Sequence, residues 1–378
     1  MVYPAPSSMK FGAGERTIVL LGAFVVVIAG LHFAQPLLLP IVFAIAIATL
    51  TQPVVARLER HRVPHALAIV LAVLLDLGVI AGIASVVGSS AQDFYARLPE
   101  YQVKFVSMVR STMSALSDRG LNLSADQTAR LLDINRLMDL GTSAAKSIAG
   151  LVSDSFLVIL LVVFMLVEVS RWRLKIAIAL GTPDSDISRF ETATSELQKY
   201  LLVKTLMCLV TAVLSGIWIG IWHVDYALLW ALVVFLLNYI PTIGSVIAGV
   251  PPVLVALVQL GPGPALGVAI GYAVINVTIG TAVEPRVMGR ALGLSPLVVL
   301  LSLVFWGWLW GPMGALLSAP LTMVLKVALS NTRDMRWLAI LLGSACWVER
   351  QTQEWAHERG VNSLPPPRGA GSTPISKP

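Results

Sequence analysis

The amino-acid sequence predicts an all-α, polytopic transmembrane helical bundle with a small helical extramembrane domain. Hydrophobic residues make up 56% of the 378 residues and charged residues only 13%, about half the share that is typical of soluble domains. Long apolar runs recur along the chain, and several approach the roughly 20 residues with which a helix crosses a bilayer. We expect about eight membrane segments, two of them candidates for re-entrant hairpins.

Charge and cysteine content exclude several other classes of protein. The net charge of +6 is explained by basic cytoplasmic loops beside membrane spans, so no nucleic-acid partner is expected. The two cysteines, Cys208 and Cys346, are too few for a disulfide framework and have no metal-site partners nearby. The sequence also lacks zinc-protease, P-loop and nucleophile-elbow motifs. We therefore expect no metal, no cofactor, no enzymatic activity and no nucleotide-driven transport.

The N-terminal quarter predicts a cytoplasmic leader followed by membrane helices. Residues 1–16 form the leader, and residues 17–88 hold the first helices. The runs Thr17–Phe33 and Pro36–Leu50 are expected to form a tight pair, and Ala66–Gly88 is long enough to cross. A cleaved signal peptide is the alternative interpretation of the first run, but no cleavage site followed by a polar segment is present.

Residues 89–148 have a different character and predict the helical extramembrane domain. Basic and acidic residues occur there in nearly equal number, and Phe94, Leu98 and Tyr101 recur at helical spacing. Ser124 and Gln127 have the spacing of a capping box that opens a second helix. Contact with neighbouring subunits is the simplest role for such a domain.

Residues 149–330 are predicted to be the membrane transport core. The chain is expected to return through residues 151–167, to form a basic cytoplasmic loop over residues 168–204, and to cross again over residues 205–222. Within the loop, Asp184 or Asp186 can cap a helix that runs through Phe190, Leu197 and Leu201. Residues 265–283 form a further full span. Two apolar pairs, each interrupted by proline and glycine, flank that span.

The first interrupted pair is residues 227–237 and 246–260, and the second is residues 297–310 and 315–329. Each run is shorter than a full crossing, so both pairs are candidates for hairpins that turn within the bilayer and open to opposite faces. Such a backbone is tolerated at that depth only where protein or a water-filled cavity covers it. The alternative is a set of short, tilted spans.

The C-terminal residues complete the predicted layout. Residues 331–358 contain the short apolar run Trp337–Trp347, which predicts an interfacial helix, and residues 359–378 are rich in proline, glycine and serine and predict a disordered tail. Placing both termini in the cytoplasm puts every basic short loop on the cytoplasmic side.

Three ordered motifs give the sequence a family resemblance. E-P-R-x-x-G-x-x-x-G-L-x-P begins at Glu284, W-G-W-x-W-G-P-x-G-A-L-L-x-x-P-L begins at Trp306, and NYIPTIGSVIAGVPP spans Asn238–Pro252. They resemble the signatures of the autoinducer-2 exporter (AI-2E) family, the PerM-like permeases of the bacterial inner membrane. The similarity covers Thr17–Leu329.

The resemblance implies a multi-pass inner-membrane permease that exports a small polar solute such as the quorum-sensing signal autoinducer-2. It also implies a homo-oligomer. A sodium/proton antiporter is the main alternative, and a structural membrane assembly protein is a lesser one. The expected partners are thus a small polar solute or ion and the lipid bilayer.

Candidate residues of the substrate or ion pathway lie at the two breaks and at polar positions within spans. They are Asp76, Asn238, Tyr239, Pro241, Gly244, Asn276, Thr278, Glu284, Pro285, Arg286, Trp306, Gly311, Gly314 and Pro320. Each has a structural alternative: interhelical hydrogen bonds for the amide and hydroxyl groups, and interfacial anchoring for the tryptophan.

The two carboxylates are the strongest of these candidates. Asp76 lies in the middle of a predicted span, where an ionisable side chain is costly, and it is a candidate site for a coupling proton or sodium ion. A structural hydrogen bond is the alternative. Glu284 is a candidate for cation coordination or for gating the inner mouth, and a salt bridge with Arg286 or Arg290 is its alternative. Lys326 is expected to extend to the cytoplasmic headgroups.

Overall fold

A computed structural model gives the structure of the protein over residues 13–117, 157–168, 184–241, 243–288, 294–330 and 336–343. Within these residues the chain is helical apart from short turns and one isolated bridge, so the all-α prediction is confirmed there. The helices are α1 (Ala13–Phe33), α2 (Gln35–Arg60), α3 (His65–Ser117), α4 (Leu157–Glu168), α5 (Asp184–Ile221), α6 (Ala227–Leu237), α7 (Gly244–Leu260), α8 (Pro262–Val277), α9 (Glu284–Met288), α10 (Pro296–Ser330) and α11 (Arg336–Leu342). A π-helical segment, Thr278–Val283, joins α8 to α9.

Five stretches of the described helices are long and apolar enough to cross a membrane: Gln35–Arg60, His65–Phe94, Thr194–Ile221, Pro262–Val283 and Pro296–Ser330. Shorter apolar helices are Leu21–Phe33, Leu157–Glu168, Ala227–Leu237 and Gly244–Leu260. The side chains on the outer faces of these helices are largely apolar and exposed, as lipid-facing side chains are. Length and composition therefore support a multi-pass membrane protein.

Small residues bring the N-terminal helices together. Ala44 and Ala48 of α2 and Ala68 and Ala72 of α3 are buried in one cluster, to which α4 contributes Val162. Alanine lets helix backbones approach closely, and dispersion contacts then replace contacts with lipid. This cluster fixes α2 against α3 and so determines which side chains of the two helices face one another.

Helix α3 is one continuous helix where the sequence predicted a span followed by a separate helix. Its 53 residues extend about 80 Å, far more than the ~30 Å core of a bilayer. Phe94 packs edge-on against Tyr226 and Trp230, and the Tyr101 hydroxyl donates to Asp225 at 2.7 Å. The predicted capping box at Ser124 and the rest of residues 118–148 lie outside the described residues, as do the leader through residue 12 and the predicted C-terminal tail.

Helix α5 confirms the helix predicted through Phe190, Leu197 and Leu201 and shows that it continues without a break into the predicted span over residues 205–222. The helix begins at Asp184 and runs without a break to Ile221, and its residues 194–221 are long and apolar enough to cross a membrane. Close packing holds it against α8: added Cβ atoms at Gly267 and Gly271 would lie 2.3 and 2.0 Å from the indoles of Trp222 and Trp218. Only glycine allows the two helices this approach.

The first interrupted pair folds into a helical hairpin made of α6 and α7. At its open end, Asp225 and Gln259 join the two chain segments. The Asp225 N–H donates to Gln259 Oε1 at 3.0 Å, and Gln259 Nε2 donates to Asp225 Oδ1 at 3.1 Å. At the closed end, a Cβ on Gly244 would lie 1.8 Å from the carbonyl oxygen of Leu237. Glycine is therefore required for this tight turn.

The second interrupted pair also folds back on itself, within α10. The backbone leaves helical geometry at Trp310 and at Gly311, where φ is 65°. Trp306 Nε1 donates to Thr322 Oγ1 at 3.0 Å, although a straight helix would separate residues sixteen apart by about 24 Å. Residues 296–309 and 312–330 thus form the two arms of a hairpin.

The two hairpins open at opposite ends of α5. The first opens beside Asp225, just after the C-terminal end of α5. The second opens at Leu294, which packs against Tyr200 and Leu201 and pairs with Gly343 just after α11. Tyr200 and Ile221 are separated by about 32 Å along the helix axis, so the hairpins approach one another from opposite directions.

Candidate functional site

Polar side chains from three parts of the chain meet at the closed end of the first hairpin. We call this group the polar cluster: Tyr200, Lys204, Thr205 and Cys208 of α5, Asn238 and Tyr239 of the hairpin turn, and Glu284 at the start of α9. Spacing of four residues places Tyr200, Lys204 and Cys208 on one face of α5.

An ion pair lies at the centre of the polar cluster. Lys204 Nζ donates to Glu284 Oε1 at 2.7 Å, and the two side chains are 7% and 19% exposed. Moving two charges out of water costs several kcal/mol per ion, and the mutual attraction offsets this cost only when the geometry is good. A charged pair kept inside an apolar bundle is therefore weak evidence for stability and good evidence for function.

The π-helical segment determines where Glu284 points. The segment Thr278–Val283 ends at the residue before Glu284, and it takes more residues per turn than an α-helix does. The side chains that follow are rotated about the helix axis relative to an uninterrupted α-helix. Single π turns are frequent at functional sites, and this one directs the carboxylate toward α5.

A hydrogen-bond chain holds the turn of the first hairpin against α5. The Tyr239 hydroxyl donates to Thr205 Oγ1 at 2.7 Å, and Thr205 Oγ1 donates to the Leu201 carbonyl at 2.7 Å. The Tyr239 ring packs edge-on against Phe235. These contacts place the amide of Asn238 near Cys208, one turn of α5 beyond Lys204.

Of the candidates that the sequence predicted, the structure brings Asn238, Tyr239 and Glu284 together. Pro241 and Gly244 shape the turn beside them, where the Ile243 N–H donates to the Pro241 carbonyl at 2.6 Å. The salt bridge that was the alternative interpretation of Glu284 has a different partner from the one expected. Arg286 is exposed, and the ion pair is made with Lys204. Pro285 follows Glu284 in α9, and Arg290 lies outside the described residues.

Two polar candidates on the intervening span lie apart from the polar cluster. The Asn276 amide donates to the Tyr272 carbonyl on its own helix at 2.9 Å, and Thr278 is exposed at the start of the π-helical segment. The sequence already places these two residues on different helix faces. Glu284, which directly follows this span, is therefore the candidate from this part of the chain that belongs to the polar cluster.

The candidates of the second interrupted pair build the second hairpin. Trp306 and Pro320 are buried, one on each arm, Gly311 forms the bend, and a Cβ on Gly314 would lie 2.0 Å from the Trp306 carbonyl oxygen. Interfacial anchoring does not describe Trp306, since it is buried and donates to Thr322. The neighbouring Trp308, which is 70% exposed, is the tryptophan of this motif that faces outward.

Asp76 forms a second, separate polar contact. It lies on α3, and both of its carboxylate oxygens accept from the Thr51 hydroxyl of α2, at 3.0 and 2.8 Å. The structure thus places Asp76 between two helices of the N-terminal half. Lys326 also departs from expectation, because its side chain is buried beside α5, where the Glu196 carboxylate attracts it.

The residue that sequence reasoning missed is Lys204. It appeared to belong to the basic loop because three other basic residues, Lys175, Arg189 and Lys199, precede it within thirty positions. Its spacing of four residues from Tyr200 and from Cys208 is the signal that places it on a polar stripe of α5. Among the described residues, no group of three or more His, Cys, Asp or Glu side chains is placed to hold a metal ion.

Comparisons with known proteins agree with this architecture. The sequence profile of the AI-2E family transporter matches residues 21–334. The chain is 36% identical over 329 residues to the AI-2 transport protein TqsA of Escherichia coli K12, an alignment that covers 87% of this chain and 96% of TqsA. It is 36% identical over 335 residues to a putative transport protein of Haemophilus influenzae, with the same coverage.

A third relative, the putative transport protein YhhT of Escherichia coli K12, is 34% identical over 330 residues, which are 87% of this chain and 95% of YhhT. The family profile extends across all the described helices from α2 to α10, including both hairpins and the polar cluster. These matches confirm the resemblance that the signature motifs indicated. The chain therefore belongs to the AI-2E family of membrane transporters.

Proposed function

We propose that the protein is a secondary transporter of the bacterial inner membrane that exports a small polar solute of the autoinducer-2 type, and that the polar cluster lines its passage. The relative TqsA carries the name of an AI-2 transport protein, which supports the solute class. The observation that carries the proposal is the buried Lys204–Glu284 pair at the closed end of the first hairpin.

The chemistry of the polar cluster suits a hydroxylated solute. Lys204 offers three donors, Glu284 is an acceptor, and Tyr239 and Thr205 offer hydroxyls that act as both. In the structure the charges of Lys204 and Glu284 neutralise one another. A polar solute that inserts between them replaces their mutual hydrogen bond with hydrogen bonds to itself, so that no buried polar group is left without a partner.

The arrangement of the hairpins supports a passage near the middle of the membrane. Helix α6 is about 16 Å long, about half the thickness of a bilayer core, which supports a turn within the membrane at the polar cluster. Two interrupted segments that approach from opposite ends resemble the inverted repeats of secondary transporters. We propose that both are re-entrant, and that both chain termini lie in the cytoplasm because the arginine-rich turn at residues 57–62 belongs there.

Flux in reconstituted liposomes tests the proposal. Labelled autoinducer-2 is loaded on one side, and its exchange is compared between the native chain, Lys204→Met and Glu284→Gln. We expect both variants to lose exchange about a hundred-fold, whereas Lys199→Met, an exposed lysine on the same helix, leaves it unchanged. Equal exchange in all four proteins contradicts the assignment of the passage.

Sodium/proton antiport is the alternative that the two intramembrane carboxylates, Asp76 and Glu284, favour. The same liposomes distinguish it when a pH-sensitive dye is enclosed and sodium is added outside. A sodium-dependent change of internal pH in the absence of solute supports antiport. A pH that stays constant while labelled solute exchanges supports the solute transporter.

A further inference from the structure

Asp76 is an intramembrane carboxylate that the proposed solute passage does not use. It lies about 17 Å along the candidate span His65–Phe94, close to the middle of a bilayer core. The described residues place no lysine, arginine or histidine within ion-pair distance of it. Glu284, by contrast, is paired with Lys204. The two carboxylates therefore differ in what neutralises them.

Thr51 can satisfy Asp76 in both of its protonation states. The threonine side chain is 4% exposed, and its hydroxyl lies 3.0 and 2.8 Å from the two carboxylate oxygens. When Asp76 is ionised, the hydroxyl donates to it. When Asp76 is neutral, the acid donates to the hydroxyl oxygen, whose hydrogen is then free for a carbonyl one turn earlier, as Thr49 already donates to Ile45.

The charged groups of the packed elements lie toward the ends of their helices. On α2, Arg57 and Arg60 are about 9 and 14 Å beyond Thr51 along the axis, with Glu59 between them. On α4, Glu168 is the terminal residue. Beyond α2, α5 carries Glu196 and Lys199 on either side of Gln198, which contacts α2. No cation is thus aligned with Asp76 among the described residues, and its ionised form is costly in these surroundings.

We propose that Asp76 is a reversible proton-binding site. The carboxylate takes up one proton to form one O–H bond, its charge changes from −1 to zero, and no oxidant or reductant takes part. The hydrogen-bond partner of the carboxylate is one hydroxyl, and among the described residues no group of three or more His, Cys, Asp or Glu side chains is placed to hold a metal ion. The assigned ligand is therefore the proton.

The protonation site is connected to the helix that carries the polar cluster. Gln198 Nε2 of α5 donates to the Thr49 carbonyl and to Gln52 Oε1, on either side of Thr51, at 3.3 and 3.4 Å. Lys204 follows Gln198 by six residues, about 9 Å along α5. Protonation of Asp76 thus couples, through α2, to the position of α5. This coupling rests on the proposed function, whereas proton binding itself does not.

Infrared difference spectroscopy of the protein in lipid vesicles tests proton binding without any transport. We expect the native chain minus Asp76→Asn to show the carbonyl stretch of a carboxylic acid, which is lost as the pH is raised. The band should keep its position in Thr51→Ser and move in Thr51→Val, which has no hydroxyl. The absence of a titrating band from the difference spectrum overturns the proposal.

Two comparisons keep this test decisive. If Asp76→Asn does not yield folded protein, the comparison of Thr51→Val with Thr51→Ser decides: a band that moves only in Thr51→Val supports the site, and a band unmoved in both overturns it. Glu284→Gln serves as a control for the other intramembrane carboxylate and should leave the Asp76 band in place.

Transport in liposomes tests the coupling. We expect Asp76→Asn to exchange solute normally without a gradient. The acceleration of exchange by a pH gradient should be about ten-fold smaller than in the native chain. An undiminished response to the pH gradient, or a sodium gradient that drives the native chain at constant pH, overturns the coupling to protons. If the native chain exchanges no solute, the proposed function fails while the infrared result still decides the proton site.

Discussion

Lys204 and Glu284, eighty positions apart in the chain, form a 2.7 Å ion pair inside the helical bundle. The pair connects α5 with α9, the short helix that follows the π-helical segment. Both charges lie beside the turn of the first hairpin, between α6 and α7. The pair therefore links two segments that are far apart in the chain at the turn of this hairpin.

Removing one partner of this pair should destabilise the protein. Lys204→Met and Glu284→Gln each leave a buried polar or charged group without its partner, and we expect the free energy of unfolding to fall by about 3 kcal/mol in each. Thermal unfolding in detergent, followed by tryptophan fluorescence, measures the loss.

The double variant Lys204→Met/Glu284→Gln is the matched control for stability. Since neither charge then remains, we expect it to regain most of the stability that the single variants lose, although transport stays absent. Additive losses in the double variant would mean that the two side chains do not interact in the native protein.

Gly244→Ala should distort the first hairpin. The added Cβ would lie 1.8 Å from the Leu237 carbonyl oxygen, a contact that forces the turn open at a cost of about 2 kcal/mol. Gly220→Ala is the control, because a Cβ there meets nothing within 4 Å and alanine favours a helix. Equal melting temperatures for the two variants would show that the turn is not as tight as the structure has it.

Trp306→Phe should loosen the second hairpin. The substitution removes the indole N–H that donates to Thr322, and about 1 kcal/mol of stability should be lost with it. A double-mutant cycle with Thr322→Val measures the coupling. Trp308→Phe, at the 70% exposed tryptophan of the same motif, should show no coupling to Thr322. Coupling energies near zero in the Trp306 cycle would contradict the folded-back arrangement of the two arms.

Tyr101→Phe should release the C-terminal part of α3 from the open end of the first hairpin. It removes the hydroxyl that donates to Asp225 at 2.7 Å, so amide hydrogen exchange over residues 93–117 should become faster while the core of α5 is unaffected. Unchanged exchange in this stretch would show that the contact does not hold α3 in place.

The same contact has a defined pH dependence. Burial, and then the hydrogen bond to Asp225, raises the pKa of Tyr101 above its ordinary value of 10.0. A raised pKa means that the contribution is complete below the ordinary pKa and is lost as pH rises through the higher one. Protection of residues 93–117, corrected for the intrinsic exchange rate, should therefore stay constant from neutral pH up to the ordinary pKa of 10.0 and fall as the pH rises further.

The sequence by itself determined the class of the protein and the places where its helices are interrupted. Apolar runs reveal membrane helices because the bilayer core excludes unpaired backbone, and Gly244, Gly311 and Gly314 mark the turns because tight turns and positive φ exclude side chains locally. The family resemblance follows from the same residues. These are properties of neighbouring positions, which the order of residues displays directly.

Only the tertiary structure decided which distant groups meet. Lys204 resembled a loop residue until α5 was seen to continue past it, and its partnership with Glu284 depends on a π-helical turn that no pattern in the sequence announced. The contact of Asp76 with Thr51 likewise follows from how α2 packs on α3. Such pairings depend on helix rotation and crossing geometry, which are set by packing between segments far apart in the chain.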